Sequence, residues 1–216
     1  MRNQFIAQLN DLNIKLLKMG AMVQEIIEVA TNALTKQDIL LAKQVYLLDD
    51  KIDELELEIE MECMKLIALQ QPMAKDLRVI GSILKIITDL ERMGDHAVNI
   101  AKVTLEIGDE PFIKPLIDIP KMAKLTKEMV NKSLDAFVKT DIELAKEVAK
   151  DDDEVDMLYE KIYTELINKM IENREIVMQA TNLIFIGRFL ERIADHATNI
   201  GERVIYMVTG ELKQIN

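Results

Sequence analysis

Apolar residues recur at alternating spacings of three and four along most of this chain. That is the rhythm of a single buried stripe on long amphipathic helices. From Gln4 to Leu34 the stripe is Ile6, Leu9, Leu12, Leu16, Met19, Val23, Ile26, Ala30 and Ala33. Thr35-Lys36-Gln37-Asp38 is a short polar break, and Asp38 is placed to cap a second helix. That helix carries Ile39, Ala42, Val45, Leu48, Ile52, Leu55, Ile59, Cys63, Leu66 and Leu69. It should stop at Gln70-Gln71-Pro72, because proline disfavours the α conformation in the residue before it. Pro72 suits the first turn of a third helix, which carries Leu77, Ile80, Leu84, Ile87, Leu90, Ala97, Ile100 and Leu105. Gly108, Pro111, Pro115 and Pro120 then mark a linker.

The second half repeats the first. At an offset of 103, Asp38-Ile39-x-Leu41-Ala42-Lys43-x-Val45 aligns with Asp141-Ile142-x-Leu144-Ala145-Lys146-x-Val148. The same offset aligns Asp49-Asp50-x-x-Asp53-x-Leu55 with Asp152-Asp153-x-x-Asp156-x-Leu158. At an offset of 100, Leu90-Glu91-Arg92-Met93-Gly94-Asp95-His96-Ala97-Val98-Asn99-Ile100-Ala101 returns as Leu190-Glu191-Arg192-Ile193-Ala194-Asp195-His196-Ala197-Thr198-Asn199-Ile200-Gly201, with eight of twelve positions identical. Helices are expected over 120–139, 141–172 and 175–209. The expected fold is all-α: two tandem antiparallel three-helix bundles related by internal duplication, over 1–106 and 119–216 with a linker at 107–118. Helices of this size are about 45 Å long at 1.5 Å per residue.

Composition narrows the chemistry. There is no Trp, while 13 Met join the aliphatic residues, which suits helix packing better than a sheet sandwich. A net charge of −11 with no basic stripe argues against nucleic acid as a partner. The lone Cys63 excludes an internal disulfide and a cysteine-based zinc cage, and reads as a small core residue. No stretch has the apolar length of a transmembrane helix, and the N-terminus lacks a signal-peptide pattern, so direct membrane insertion is not expected and the cytoplasm is the default.

The acids are spaced for a purpose. Asp49 and Asp53, Glu91 and Asp95, Asp152 and Asp156, and Glu191 and Asp195 each stand four residues apart, one turn apart on one helix face. Like charges at that spacing repel by a few tenths of a kcal/mol per pair. Keeping four such pairs in register with a repeat points to a compensating cation, held by hard oxygen ligands across a groove between two helices. The plainer reading is that they are flanking charges paired with Lys51, Arg92 and other basic residues. His96 and His196, the only histidines, sit about 100° round the helix from the neighbouring aspartate, so they need not share its metal: they are expected to support the site from outside or to pack between helices, with direct ligation as the alternative. Asn99 and Asn199 lie on the aspartate's own face and can serve a carboxylate, complete a cation's shell, or bond another helix. Arg92 and Arg192 are expected to form interhelical salt bridges. No Glu-x-x-His di-iron pattern, hydrolase elbow or P-loop accompanies these residues, so the chain does not read as an enzyme.

These motifs carry a resemblance. The duplicated Leu-Glu-Arg-x-x-Asp-His-Ala-x-Asn-Ile at 90–100 and 190–200, the Ile67-Ala68-Leu69-Gln70-Gln71-Pro72-x-Ala74-x-Asp76-Leu77-Arg78 segment and the Asp-Asp-x-x-Asp stretches at 49 and 152 resemble the PhoU family of phosphate-transport system accessory proteins. The resemblance covers nearly the whole chain and implies metal ions at the acid pairs, iron first, with Mg, Mn, Ca or Zn as alternatives. It also implies a negative regulator of the phosphate-starvation response that couples a phosphate ABC transporter ATPase to a membrane sensor histidine kinase. A homodimer is expected. The alternatives are a ferritin-like carboxylate-bridged redox enzyme and a metal-free helical scaffold. One departure is that Ile176 and Met178 stand where the second half would match Asp76 and Arg78.

Overall fold

The computed structural model describes residues 2–211 and residue 215. Six long helices form it: α1 (Arg2–Lys36), α2 (Ile39–Gln70), α3 (Ala74–Ile107), α4 (Asp118–Lys139), α5 (Ile142–Glu172) and α6 (Val177–Thr209). A single 3-10 turn, Arg174–Ile176, precedes α6. Among the described residues there is no strand. Asp38 and Asp141 cap α2 and α5 as the repeat requires: one carboxylate oxygen of each accepts two backbone N–H bonds, at 2.9 and 3.0 Å and at 3.0 and 3.1 Å. The third helix starts later than Pro72 suggests, at Ala74 behind an extended Met73. Chain reversal there uses Gln71 at φ 45° and Pro72. Gln37 and Thr140 make the corresponding left-handed turns elsewhere.

Helices α1–α3 and α4–α6 form two three-helix bundles, and the bundles share one continuous core. The breadth of the buried arc shows how. Helices α2 and α5 bury essentially one stripe each, with Ala42, Val45, Leu48, Ile52, Leu55, Ile59, Cys63 and Leu66 on α2. Helix α3 buries Ile80, Ile83, Ile87 and Leu90, and on a further face Met93, Ala97, Ala101 and Thr104. That broad burial lets α3 pack on its own bundle and, antiparallel, on α6, the most extensive helix pairing in the molecule. Phase is the sequence reading's small error on α3: Leu77 is 46% exposed, and Leu84 and Leu105 are only half-buried.

The linker is clamped rather than loose. Buried Gln179 on α6 donates to Pro111 O at 3.0 Å and accepts from Ile113 N at 2.7 Å. Gln37 donates to the carbonyls of Gly108 and Glu110 at 3.1 and 2.7 Å. Lys114 pairs with Glu165, and Lys161 with Asp118 at 2.8 Å. No helix among the described residues is long and apolar enough to cross a membrane. Cys63 is buried, and burial pushes its thiol up to about 12, out of nucleophilic range.

Candidate metal centre

In the first bundle α2 and α3 carry their acids to a common seam. Leu48 and Ile52 are buried in the core, which brings the adjoining Asp49 and Asp53 against α3. Burial, then the charges of Asp53, Asp95, Glu91 and Asp50, pushes the Asp49 carboxyl up to about 6. Asp53 lies at the exposed rim, where lost hydration against the helix surface and then Asp95 raise it. Glu91 is raised by burial and by Asp95, against a lowering from Arg92. Each carboxylate therefore senses the acids of the facing helix. Asp49 Oδ1 is buried with no hydrogen-bond partner. It reaches so close to α3 that a Cβ at position 94 would stand 2.7 Å from it, which is why Gly94 occupies that position.

A fifth acid belongs here. Glu56 is raised by burial first, then by Glu60 and Asp53. It lies at i+7 from Asp49, on the same helical face, a spacing that carries the signal but falls outside the i, i+4 pairs.

The second seam repeats the layout with a different balance. Asp152 on α5 is 5% exposed, and Asp156 lies one turn on. Asp156 is raised by burial, Asp195 and Asp153, against Arg188. Glu191 is 9% exposed and is raised by burial and Asp195, against Arg188 and Arg192. Arg188 donates from Nη1 to Glu191 Oε1, and its guanidinium sits 5.8 Å from the centre of the Tyr159 ring. Neither Arg188 nor Tyr159 was singled out by the sequence reading, because their counterparts in the first half are uncharged Thr88 and acidic Glu56.

The motif arginines do not cross between helices as expected. Arg92 pairs within α3, with Glu91 at 3.3 Å and Asp95 at 2.9 Å, and Arg192 pairs within α6 more loosely, at 3.9 and 3.4 Å. A side chain beside its own motif acids reaches them before it reaches another helix.

The histidines face the other bundle instead of their own acids. His196 Nδ1 lies 2.9 Å from Asp89 Oδ1, and Asn199 donates to the same oxygen at 3.3 Å. His96 stacks on Phe189 at 6.0 Å and meets the His196 ring at 5.8 Å. Burial, then His196, holds the His96 imidazole down to about 4, so it is neutral at pH 7. Asn99 accepts from Lys102 at 3.3 Å. Asp89 and Phe189 occupy equivalent positions in the repeat, so one side of this interface is polar and the other aromatic.

What could such seams hold? The donor set is all carboxylate oxygen, the chemistry of hard divalent cations and of iron. The unpartnered buried Asp49 Oδ1 is the kind of acceptor a cation satisfies. Among the described residues, however, no three His, Cys, Asp or Glu side chains are arranged to hold one ion as they stand. Sharing an ion therefore requires the carboxylates to swing inward by changes of rotamer, with the helix backbones already adjacent.

The PhoU domain matches twice, over residues 16–104 and 119–204. A phosphate-specific transport system accessory protein PhoU homolog of Clostridium acetobutylicum is 43% identical over 216 residues, covering 100% of this chain and 99% of that one. A homolog of the same description from Aquifex aeolicus is 45% identical over 205 residues, covering 95% and 93%. The crystal structure of PhoU from Pseudomonas aeruginosa superposes with a TM-score of 0.91 at 39% identity, covering 96% of this chain and all of that one. The phosphate transport system regulatory protein PhoU from Streptococcus pneumoniae gives 0.90 at 33% identity, covering 97% and 99%. These relatives are described as an accessory protein and a regulatory protein of phosphate transport. Matched across both halves and along its whole length, the chain belongs to the PhoU domain family.

Proposed function

We propose that this chain is an accessory regulator of a phosphate-specific transport system. The observation that carries this reading is full-length similarity to proteins of that description. In finer detail, it acts in the cytoplasm as a negative regulator of the phosphate-starvation response. It couples the transporter's ATPase to a membrane sensor histidine kinase, and works as a homodimer. Long helices with apolar residues exposed along them favour a role exerted through protein contacts: Leu40, Leu47, Leu57, Met61 and Met64 on α2 are all more than half exposed.

We further propose that the seams bind metal, iron or another oxygen-preferring ion. Asp49, Asp53, Glu91 and Asp95 would hold it in the first bundle, and Asp152, Asp156, Glu191 and Asp195 in the second. A bound cation supplies positive charge that cancels the mutual repulsion of these acids and ties α2 to α3, or α5 to α6. Deleting the gene in its own host tests the regulatory role. A phosphate-starvation reporter should switch on in phosphate-replete medium and be silenced again by the wild-type chain. A reporter unaffected by the deletion contradicts the reading.

A further inference from the structure

We propose that the two seams are not interchangeable: Arg188 is a built-in counter-cation of the second, so an external metal ion loads the first seam preferentially. The proposal rests on the metal reading of the seams given above.

Three paired differences between the repeats build this device. Where the first half has Glu56, Ile87 and Thr88, the second has Tyr159, Gly187 and Arg188. The differences are coupled in space. A Cβ at Gly187 would stand 3.1 Å from Tyr159 Cδ2 and 3.4 Å from Cε2, so the ring rests directly on the α6 backbone. Ile87, 1% exposed, fills that place in the first bundle and leaves no bed for a ring. The bedded Tyr159 ring in turn supports the Arg188 guanidinium at 5.8 Å, a cation–π distance. Arg188 then donates to Glu191, the most buried of the motif glutamates and the one most in need of a fixed opposite charge. In the first seam Thr88 supplies no charge: its hydroxyl lies 3.1 Å from the Leu84 carbonyl of its own helix and also serves Glu56 across the seam, a neutral contact where the second seam has a guanidinium.

The charge balance follows. Around the first seam, Asp49, Asp53, Glu56, Glu91 and Asp95 are offset by Arg92 alone. Around the second, Asp152, Asp156, Glu160, Glu191 and Asp195 are offset by Arg188 and Arg192. Arg92 and Arg192 are common to both and do not discriminate. Tyr159 in place of an acid and Arg188 in place of a threonine take away two negative charges, and Glu160 in place of Leu57 restores one, so the second seam is one charge less negative. An incoming divalent cation meets a stronger attraction at the first seam, and at the second must compete with a guanidinium already bound to Glu191.

Calorimetric titration of the chelator-stripped full-length chain with Mn2+ tests this. Wild type should show one tight class, abolished by Asp95→Asn, and a second at least about tenfold weaker, abolished by Asp195→Asn. Arg188→Thr should tighten the weaker class about tenfold and leave the tight one unchanged. It should also lower the melting temperature of the metal-free protein, with Mn2+ restoring it. Arg188→Gln, neutral and closer in shape, should tighten the same class and serves if the threonine variant fails to fold. Equal affinities in wild type, or a weaker class indifferent to both replacements, would overturn the proposal while leaving metal binding intact. No Mn2+ bound by any variant would overturn the metal reading itself, and this proposal with it.

Discussion

In the first bundle five carboxylates crowd along the α2–α3 groove, with a single exposed arginine beside them. In the second, the groove between α5 and α6 also holds five, Glu160 among them, but a guanidinium stacked on tyrosine already occupies the glutamate. Packing beneath the two is nearly the same. Leu90 and Leu190 are both 0% exposed, and so are Ala97 and Ala197. Duplication has kept what holds the helices together and let the rim of the groove diverge. The comparison teaches that a repeated motif guarantees a repeated scaffold; whether it guarantees a repeated site is decided by neighbours outside the motif.

The largest effect tests the shared half of that comparison. Leu90→Ala and Leu190→Ala should each destabilise the protein by about 3 kcal/mol, the usual range for a fully buried leucine, measured by denaturant unfolding. A large cost at one position alone would show the scaffolds to be unequal as well.

Gly94→Ala comes next and separates stability from site. Alanine favours a helix interior by about 1 kcal/mol over glycine, so the fold should tolerate the change. Its methyl group would collide with Asp49 Oδ1, which must move out of the seam. Mn2+ affinity at the first seam should drop about tenfold, by about 1.4 kcal/mol, with unfolding free energy nearly unchanged. The second seam already has Ala194 there and should not respond.

A smaller effect appears in the pH dependence of the metal-free protein. Asp49 rises from 3.8 to about 6 on folding. The folded carboxyl then takes up a proton more readily than the unfolded one. Its contribution favours folding as pH falls from 6 toward 4 and is lost as pH rises through 6. His96 works in the opposite sense. Its imidazole falls from 6.5 to about 4, so its contribution is complete above 6.5 and lost as pH drops through that window. Asp49→Asn should therefore raise the melting temperature at pH 7 by a few degrees, and make the loss of stability on acidification steeper. A melting profile unchanged by Asp49→Asn between pH 4 and 7 would mean that neither burial nor the neighbouring acids penalise the charged Asp49 carboxylate.

Arg92→Gln should do least. Arg92 is 57% exposed, and ion pairs in that setting contribute about 0–1 kcal/mol. A loss well beyond this would identify Arg92 as a counter-cation of the first seam, equal in weight to Arg188.

Much of this was legible in the chain. The three–four rhythm located six helices, the Asp38 and Asp141 caps marked two starts, and the i, i+4 acids do face one another as the repeat required. What the sequence hid were relations between elements that never repeat together. His96 and His196 look like companions of Asp95 and Asp195, yet they point into the α3–α6 interface, where Asp89 and Phe189 receive them. The breadth of the apolar arc on α3, with Ile86, Met93 and Ala101 outside the main stripe, was the available sign that this helix is buried on two sides. Gln179 gave no sign: a polar residue in an apolar helix announces a buried partner but not that the partner is the linker backbone. Tyr159 and Arg188 stayed hidden because repeat alignment rewards identity, and their role lies in being different.

The most direct test of unequal cation sites is the metal retained after equilibrium dialysis of the full-length chain against a limiting, equimolar amount of Mn2+. Asp95→Asn should lose most of the metal that wild type retains, and Asp195→Asn should keep it. Equal losses in the two variants, or retention indifferent to both, would contradict the account.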